Sequence, residues 1–247
     1  FVAANFLKYG NALRVVRPTS AIVNAAVSGT KVLVKNDDHY QENYSGGEGN
    51  VGEWAARTPG TWGNSLGVSI CPSATAFEEN IGSSNLTVGE DAVGATSILV
   101  DDGTAFNVGD LISFSTADAS STATNFAHIS EGNEYEITAI STHTLTVRLD
   151  GDANGGGVKA IVPDNTFIRR RWRWYDLFAT APGTSAWSTE NGRGSNDELH
   201  VVVYDTTGDI TGNDVDVAGQ RAASVIETYS GLSKNSAAKT AQGSTNY

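Results

Sequence analysis

The stretch Tyr135-Glu-Ile-Thr-Ala-Ile-Ser-Thr-His-Thr-Leu-Thr-Val-Arg-Leu149 holds two runs in which apolar and polar residues alternate. Tyr135, Ile137 and Ala139 fall on one side of the first run, and Leu145, Val147 and Leu149 on one side of the second. A period of two is the mark of a strand with one buried and one wet face. Similar short runs surround them, each bounded by Gly, Asp or Asn: Ser97-Ile-Leu-Val100, Asp110-Leu-Ile-Ser-Phe114 and Val158-Lys-Ala-Ile-Val162. Short strands at close spacing predict a small antiparallel β-barrel or sandwich over residues 85–165. The Ser/Thr/Ala run at 116–124 reads as a loop within it.

The texture differs on either side of that segment. Residues 3–9 predict a short helix with Phe1, Phe6 and Leu7 on one side, stopped by Gly10-Asn11. A strand starts at Leu13 and ends near Pro18, and Thr30-Lys-Val-Leu-Val-Lys35 predicts another. Residues 37–44 suggest a helical turn. The Gly-, Pro- and Trp-rich block 57–64 reads as an ordered loop anchored by Trp62. An apolar strand pattern then runs up to Cys71-Pro72. After Pro163 this texture returns in 166–178, in a loop at Ala181-Pro-Gly-Thr184 and in a strand over 198–204. The expected class is therefore α+β: a discontinuous mixed α/β core domain made of 1–84 and 166–247, with an acidic β-barrel-like domain inserted at 85–165.

Composition sets the wider limits. The 247 residues carry a net charge of -12, a hydrophobic fraction of 39% and 27 glycines, and mean hydropathy is -0.23. That balance favours turn-rich β-structure over a helical bundle. No run approaches the roughly 18 apolar residues that cross a bilayer, and the opening lacks the basic region of a signal peptide. The charge is uneven: 85–165 holds twelve acidic residues against Arg148 and Lys159, whereas the remainder is close to neutral and suited to packing against copies of itself. One cysteine, Cys71, excludes an intramolecular disulfide, and its apolar setting reads as a buried small hydrophobe in a protein of a reducing cytoplasm.

Few motifs point to chemistry. Asp150-Gly-Asp-Ala-Asn-Gly155 opens like a calcium loop, but the position that needs a bidentate Glu is Ile161, so a turn is the expectation. Asp205-Thr-Thr-Gly-Asp-Ile-Thr211 follows an apolar strand, as a phosphorylatable aspartate does. The second acidic position is Thr207, however, and Asp-x-x-Gly is also an ordinary turn. A metal-dependent phosphotransferase or hydrolase using Asp205 is the alternative class. Arg169-Arg-Arg-Trp-Arg-Trp174 could suit nucleic acid, yet the acidic total argues against a polyanion partner. Strand alternation instead puts Arg169, Arg171 and Arg173 on one face, opposite Ile168, Trp172 and Trp174, as candidate subunit-interface residues whose salt bridges reach acidic surfaces of neighbouring subunits or of the 85–165 insert. His39, His128, His143 and His200 show no ligand spacing, and His200 reads as a satisfied core residue.

Three separated blocks add a family resemblance. Phe1-Val-Ala-Ala-Asn-Phe-Leu-Lys-Tyr-Gly-Asn-Ala-Leu-Arg-Val-Val-Arg17, Ala56-Arg-Thr-Pro-Gly-Thr-Trp-Gly-Asn-Ser-Leu-Gly-Val-Ser-Ile70 and Asp197-Glu-Leu-His-Val-Val-Val-Tyr-Asp-Thr-Thr-Gly-Asp-Ile-Thr-Gly212 occur in that order. Together they resemble the tail sheath proteins of contractile-tailed (myovirus) bacteriophages, over roughly 1–75 and 168–247. The resemblance implies a structural virion protein of the phage tail, not an enzyme, assembled in the host cytoplasm. It implies copies in stacked hexameric rings around a tail tube protein, with a baseplate and a tail terminator as further partners. It implies no cofactor, no catalytic or metal residues, no direct nucleic-acid contact and no membrane insertion. Since Phe1 already sits in a periodic segment and no Met is present, the chain reads as a fragment lacking both terminal regions of the family.

Overall fold

A computed structural model describes residues 22–27, 31–44, 52, 54–81, 85–115, 129, 132–152, 155–217 and 219–247. The helix expected over 3–9, the strand from Leu13 and the loop over 116–124 lie outside the described residues. The chain divides into two compact units, 1–66 and 67–247.

In the first unit the helical turn expected at 37–44 is helix α1 (Asp37–Asn43). Asn36 caps it, its side chain accepting from the His39 N–H at 2.8 Å, and Asp37 and Asp38 sit in the first turn, where the helix dipole favours negative charge. Val32 and Val34 pack with Ala26, Tyr40, Tyr44 and Ala55. The strand expected over 30–35 shrinks to a bridge between Asn24 and Val32. Side-chain bonds replace the missing ladder: buried Asn24 donates to the Ala56 and Arg57 carbonyls and accepts from the Val34 N–H. Trp62, expected as an anchor, is 61% exposed, because the 3-10 turn Thr61–Ser65 points it outward.

The second unit contains two sheets. One has three strands in the order β1 (Leu66–Cys71), β8 (Glu198–Asp205), β9 (Val225–Ser233). Its central strand is the apolar run of 198–204, with Val201 and Val202 buried. Strands β8 and β9 pair antiparallel from Glu198↔Ser233 to Tyr204↔Val225. The other sheet has six strands, β2 (Glu78–Ile81), β3 (Ser97–Leu99), β4 (Leu111–Ser115), β5 (Tyr135–Ser141), β6 (Thr144–Leu149) and β7 (Phe167–Arg171), in the order β2-β7-β4-β5-β6-β3. Short helices α2 (Ala74–Phe77) and α3 (Ala186–Glu190) complete the unit. The fold is thus α+β, with antiparallel strand pairs and few helices.

The alternation read at 135–149 is the β5–β6 pair, Tyr135↔Leu149 to Ser141↔Thr144; a register shift between Ile137 and Ala139 corrects it, leaving Ala139 exposed and packing Ile140 against the core. Ile98, Ile112, Phe114, Tyr135, Ile137, Leu145, Val147 and Ile168 form the buried core on one face of this sheet. The expected barrel takes a different form. Segment 85–165 supplies β3, β4, β5 and β6, but β7 and β2 come from its flanks, and among the described residues the edge strands β2 and β3 do not pair with each other. The run 158–162 is no strand: Val158 and Val162 reach the core from a segment held by the Asp91↔Val162 bridge and by the Val158 N–H to the Ala95 carbonyl.

That segment passes very close to residues 94–95. A Cβ on Gly157 would stand 2.2 Å from the Ala95 oxygen and 2.4 Å from the Gly94 oxygen, both backbone atoms. Gly157→Ala must therefore push two backbones apart beside Val158. A loss of about 2–3 kcal/mol is expected in urea unfolding, and an unchanged midpoint would show that this contact does not form. Among the described residues no helix is long and apolar enough to cross a membrane.

Candidate functional site

Register explains where the arginines go. Strand β7 lies between β2 and β4, with Glu78↔Arg171 and Glu79↔Arg170 as direct partners across the β2–β7 ladder. Arg171 bonds Glu78 through Nε at 2.6 Å and Glu134 through Nη1 at 2.9 Å, and its guanidinium lies over the Tyr175 ring. Burial alone would lower the Arg171 pKa; the two carboxylates outweigh it and raise it. Arg170 bonds Glu79 at 2.7 Å and the Ala105 carbonyl. Arg169 is buried at 6% exposure, and that burial, with Arg171 beside it, lowers its pKa.

Strand β7 ends at Arg171, so Arg173 stands beyond it. Its guanidinium meets Glu136 of β5 and Asp216. Glu136, only 4% exposed, is held from the other side by Arg148 of β6, its direct cross-strand partner, with Nη2 at 2.7 Å and Nε at 3.0 Å. Arg148 also donates to the Asp216 carbonyl, and Arg221 grips Asp150 with two bonds of 2.7 and 2.9 Å. The carboxylates sought on a neighbouring subunit for Arg171 and Arg173 are thus supplied by this chain. Strand pairing brings Glu78 to Arg171, whereas Glu134 and Glu136, both in the acidic segment 85–165, reach Arg171 and Arg173 through their side chains. Sequence reading missed Glu78, Glu134, Glu136 and Asp216. The available signal was the adjacent pair Glu78-Glu79, which matches Arg170-Arg171 in antiparallel register.

Beside this network opens a cleft of about 360 Å³, lined among others by Ser69, Asp110, Arg173, Trp172, Trp174 and Tyr204. Trp172 donates its indole N–H to Ser69 Oγ at 2.9 Å, and the Trp174 and Tyr204 rings pack 5.0 Å apart. Burial raises the Asp110 pKa, against the Asn107 contacts and the charge of Arg170, which pull it down. Cys71 is fully buried, and desolvation pushes its thiol up to about 11 against the lowering effect of a backbone hydrogen bond from Ser73. The folded thiol is therefore expected to resist alkylation at pH 8 and to react once urea unfolds the chain. As pH rises past 9, the ordinary thiol value, the unfolded chain loses this proton and the folded chain keeps it, so stability falls towards pH 11. Equal alkylation rates in native and unfolded protein would contradict the burial.

Strand β8 carries the remaining residues of interest. His200 is buried: Nδ1 accepts from the Gly231 N–H at 3.0 Å, which leaves Nε2–H to donate to the Thr180 carbonyl at 2.9 Å. The ring stacks on Phe178 at 4.4 Å. Asp197, just before β8, bonds Ser185 and Ser233; burial would raise its pKa, but these contacts hold it well below the usual carboxylate range. Asp205 ends the strand at 0% exposure. Its carboxylate accepts from the N–H groups of Thr207, Gly208, Ile210 and Thr211 at 3.4, 3.0, 2.8 and 2.7 Å, and from the Thr211 hydroxyl at 3.1 Å. The turn that Asp-x-x-Gly called for is built around this side chain.

The calcium-like loop has its first Asp committed to Arg221 and Asp152 near Lys159 at 3.7 Å; Ala153 and Asn154 lie outside the described residues. Among the described residues no cluster of three or more His, Cys, Asp or Glu could hold a metal ion. No known family's sequence model matches the chain, and no curated protein matches it.

Proposed function

We propose that this protein is a structural subunit of a contractile tail sheath. In this reading, copies stack as hexameric rings around a tail tube, between a baseplate and a tail terminator, in an extended metastable helix. Contraction exchanges one packing of subunits for another, and the free-energy difference between them drives the tube through the host envelope without a nucleotide. The observation that carries the reading is the ordered set of three sequence blocks described above. Two of them meet in space: 56–70 leads into β1, 197–212 contains β8, and these strands are neighbours in one sheet. Parts of two of the blocks thus share one sheet, while the block 1–17 lies outside the described residues.

The runner-up, a phosphotransferase or hydrolase using Asp205, needs a carboxylate free to attack phosphorus beside a divalent cation. The buried, fully hydrogen-bonded setting of Asp205 weighs against it. Incubation with acetyl phosphate and Mg²⁺ separates the two readings. An unmodified mass is expected, and a phosphoryl adduct on Asp205 would replace the sheath reading with the enzymatic one.

A further inference from the structure

The cleft beside Trp172 and Trp174 contains a carboxylate that the chain balances only in part. Asp110 is 7% exposed and lines the cleft. Both its bonds to Asn107, from the backbone N–H at 2.9 Å and from Nδ2 at 3.3 Å, use Oδ2, so Oδ1 remains available. Among the described residues no cation lies within ion-pair distance of it. The two arginines that share the cleft are already compensated, Arg170 by Glu79 and Arg173 by Glu136 and Asp216. Aromatic walls complete the site: Trp172, Trp174 and Tyr204 all border it.

We propose that this cleft binds a primary ammonium group on an aliphatic stem, with Asp110 Oδ1 as its counter-ion and the aromatic walls around the stem. A largely buried carboxylate with no cation at ion-pair distance carries a desolvation cost that an incoming cation offsets. Aromatic faces attract cations and cover methylene groups. A single available oxygen suits the point charge of an ammonium better than the two-pronged guanidinium, which seeks both carboxylate oxygens. The rise in the Asp110 pKa agrees with this, since it reports a charge left short of compensation. The stem can belong to a lysine of a second copy or to a free alkylamine, and the site does not rest on the sheath reading.

The test titrates the protein with n-butylammonium chloride at constant ionic strength, reading the indole N–H signals of its five tryptophans. Those of Trp172 and Trp174 are expected to shift saturably, and those of Trp54, Trp62 and Trp187 to stay. Butanol, with the same stem and no charge, should give no saturable shift. Asp110→Asn should weaken the amine at least about tenfold. Sedimentation distinguishes the two sources: a dimer that butylammonium dissociates points to a lysine of a second copy, and a monomer throughout points to a free amine. Absence of a saturable shift in the unmodified protein, or equal binding of butanol, overturns the proposal even if the Asp110 variant fails to fold.

Discussion

Asp205→Ala is expected to lower the unfolding free energy by about 3–5 kcal/mol. The substitution removes the acceptor of four backbone N–H groups and one hydroxyl in a place water does not reach. Those donors belong to a turn that needs the positive φ of Gly208, and the Thr211 hydroxyl also reaches another acceptor, the Asn213 carbonyl. Asp205→Asn keeps the oxygen but places an N–H₂ where a donor already points, and should lose about half as much. Urea unfolding followed by tryptophan fluorescence reads both. The result also bears on the choice of function. An aspartate held in place for chemistry is commonly a stability liability, and removing it leaves the fold as stable or more so. A neutral or stabilising Asp205→Ala would favour the enzymatic reading.

The second large effect is at Glu136. Its carboxylate lies between the guanidinium groups of Arg148 and Arg173, and all three side chains are mostly buried. Glu136→Ala leaves two cations facing each other with only Asp216 nearby, itself 70% exposed at the side chain. Losing one partner of a buried pair costs about 3–5 kcal/mol, because the remaining charge stays desolvated. The damage should spread beyond the β5–β6 pair, since Arg148 and Arg173 also fasten residues 215–216 to this sheet. Hydrogen exchange is expected to speed up in both places. If Glu136→Ala unfolded at the same urea concentration as the parent protein, Arg148 and Arg173 would not be held by Glu136 within the chain.

How much of this was legible in the sequence depends on what each segment has to satisfy. Strands β5, β6 and β8 were read from their own residues, since burial of one face, or of both in the central β8, leaves a pattern in the chain itself. Strand β9 was not foreseen. It is an edge strand with Glu227, Thr228, Tyr229 and Ser230 exposed, so little in its composition separates it from a loop. The run 158–162 misled in the opposite way: Val158 and Val162 are apolar because they fill the core, although the backbone between them is irregular. Borders at 85 and 165 followed a real change of texture, but hydrogen bonding ignores texture, and β2 and β7 join the same sheet. The arginine site shows the same limit. Alternation can say that Arg169 and Arg171 share a face, while the identity of what faces them depends on register between strands far apart in sequence.

The sheath proposal makes its plainest commitment at the level of assembly. Negative-stain electron microscopy of the complete gene product, expressed alone and purified, tests it most directly. Long tubes with regular cross-striations and six-fold end views are the expected result. A field of dispersed single particles at every concentration and salt condition tried would contradict it.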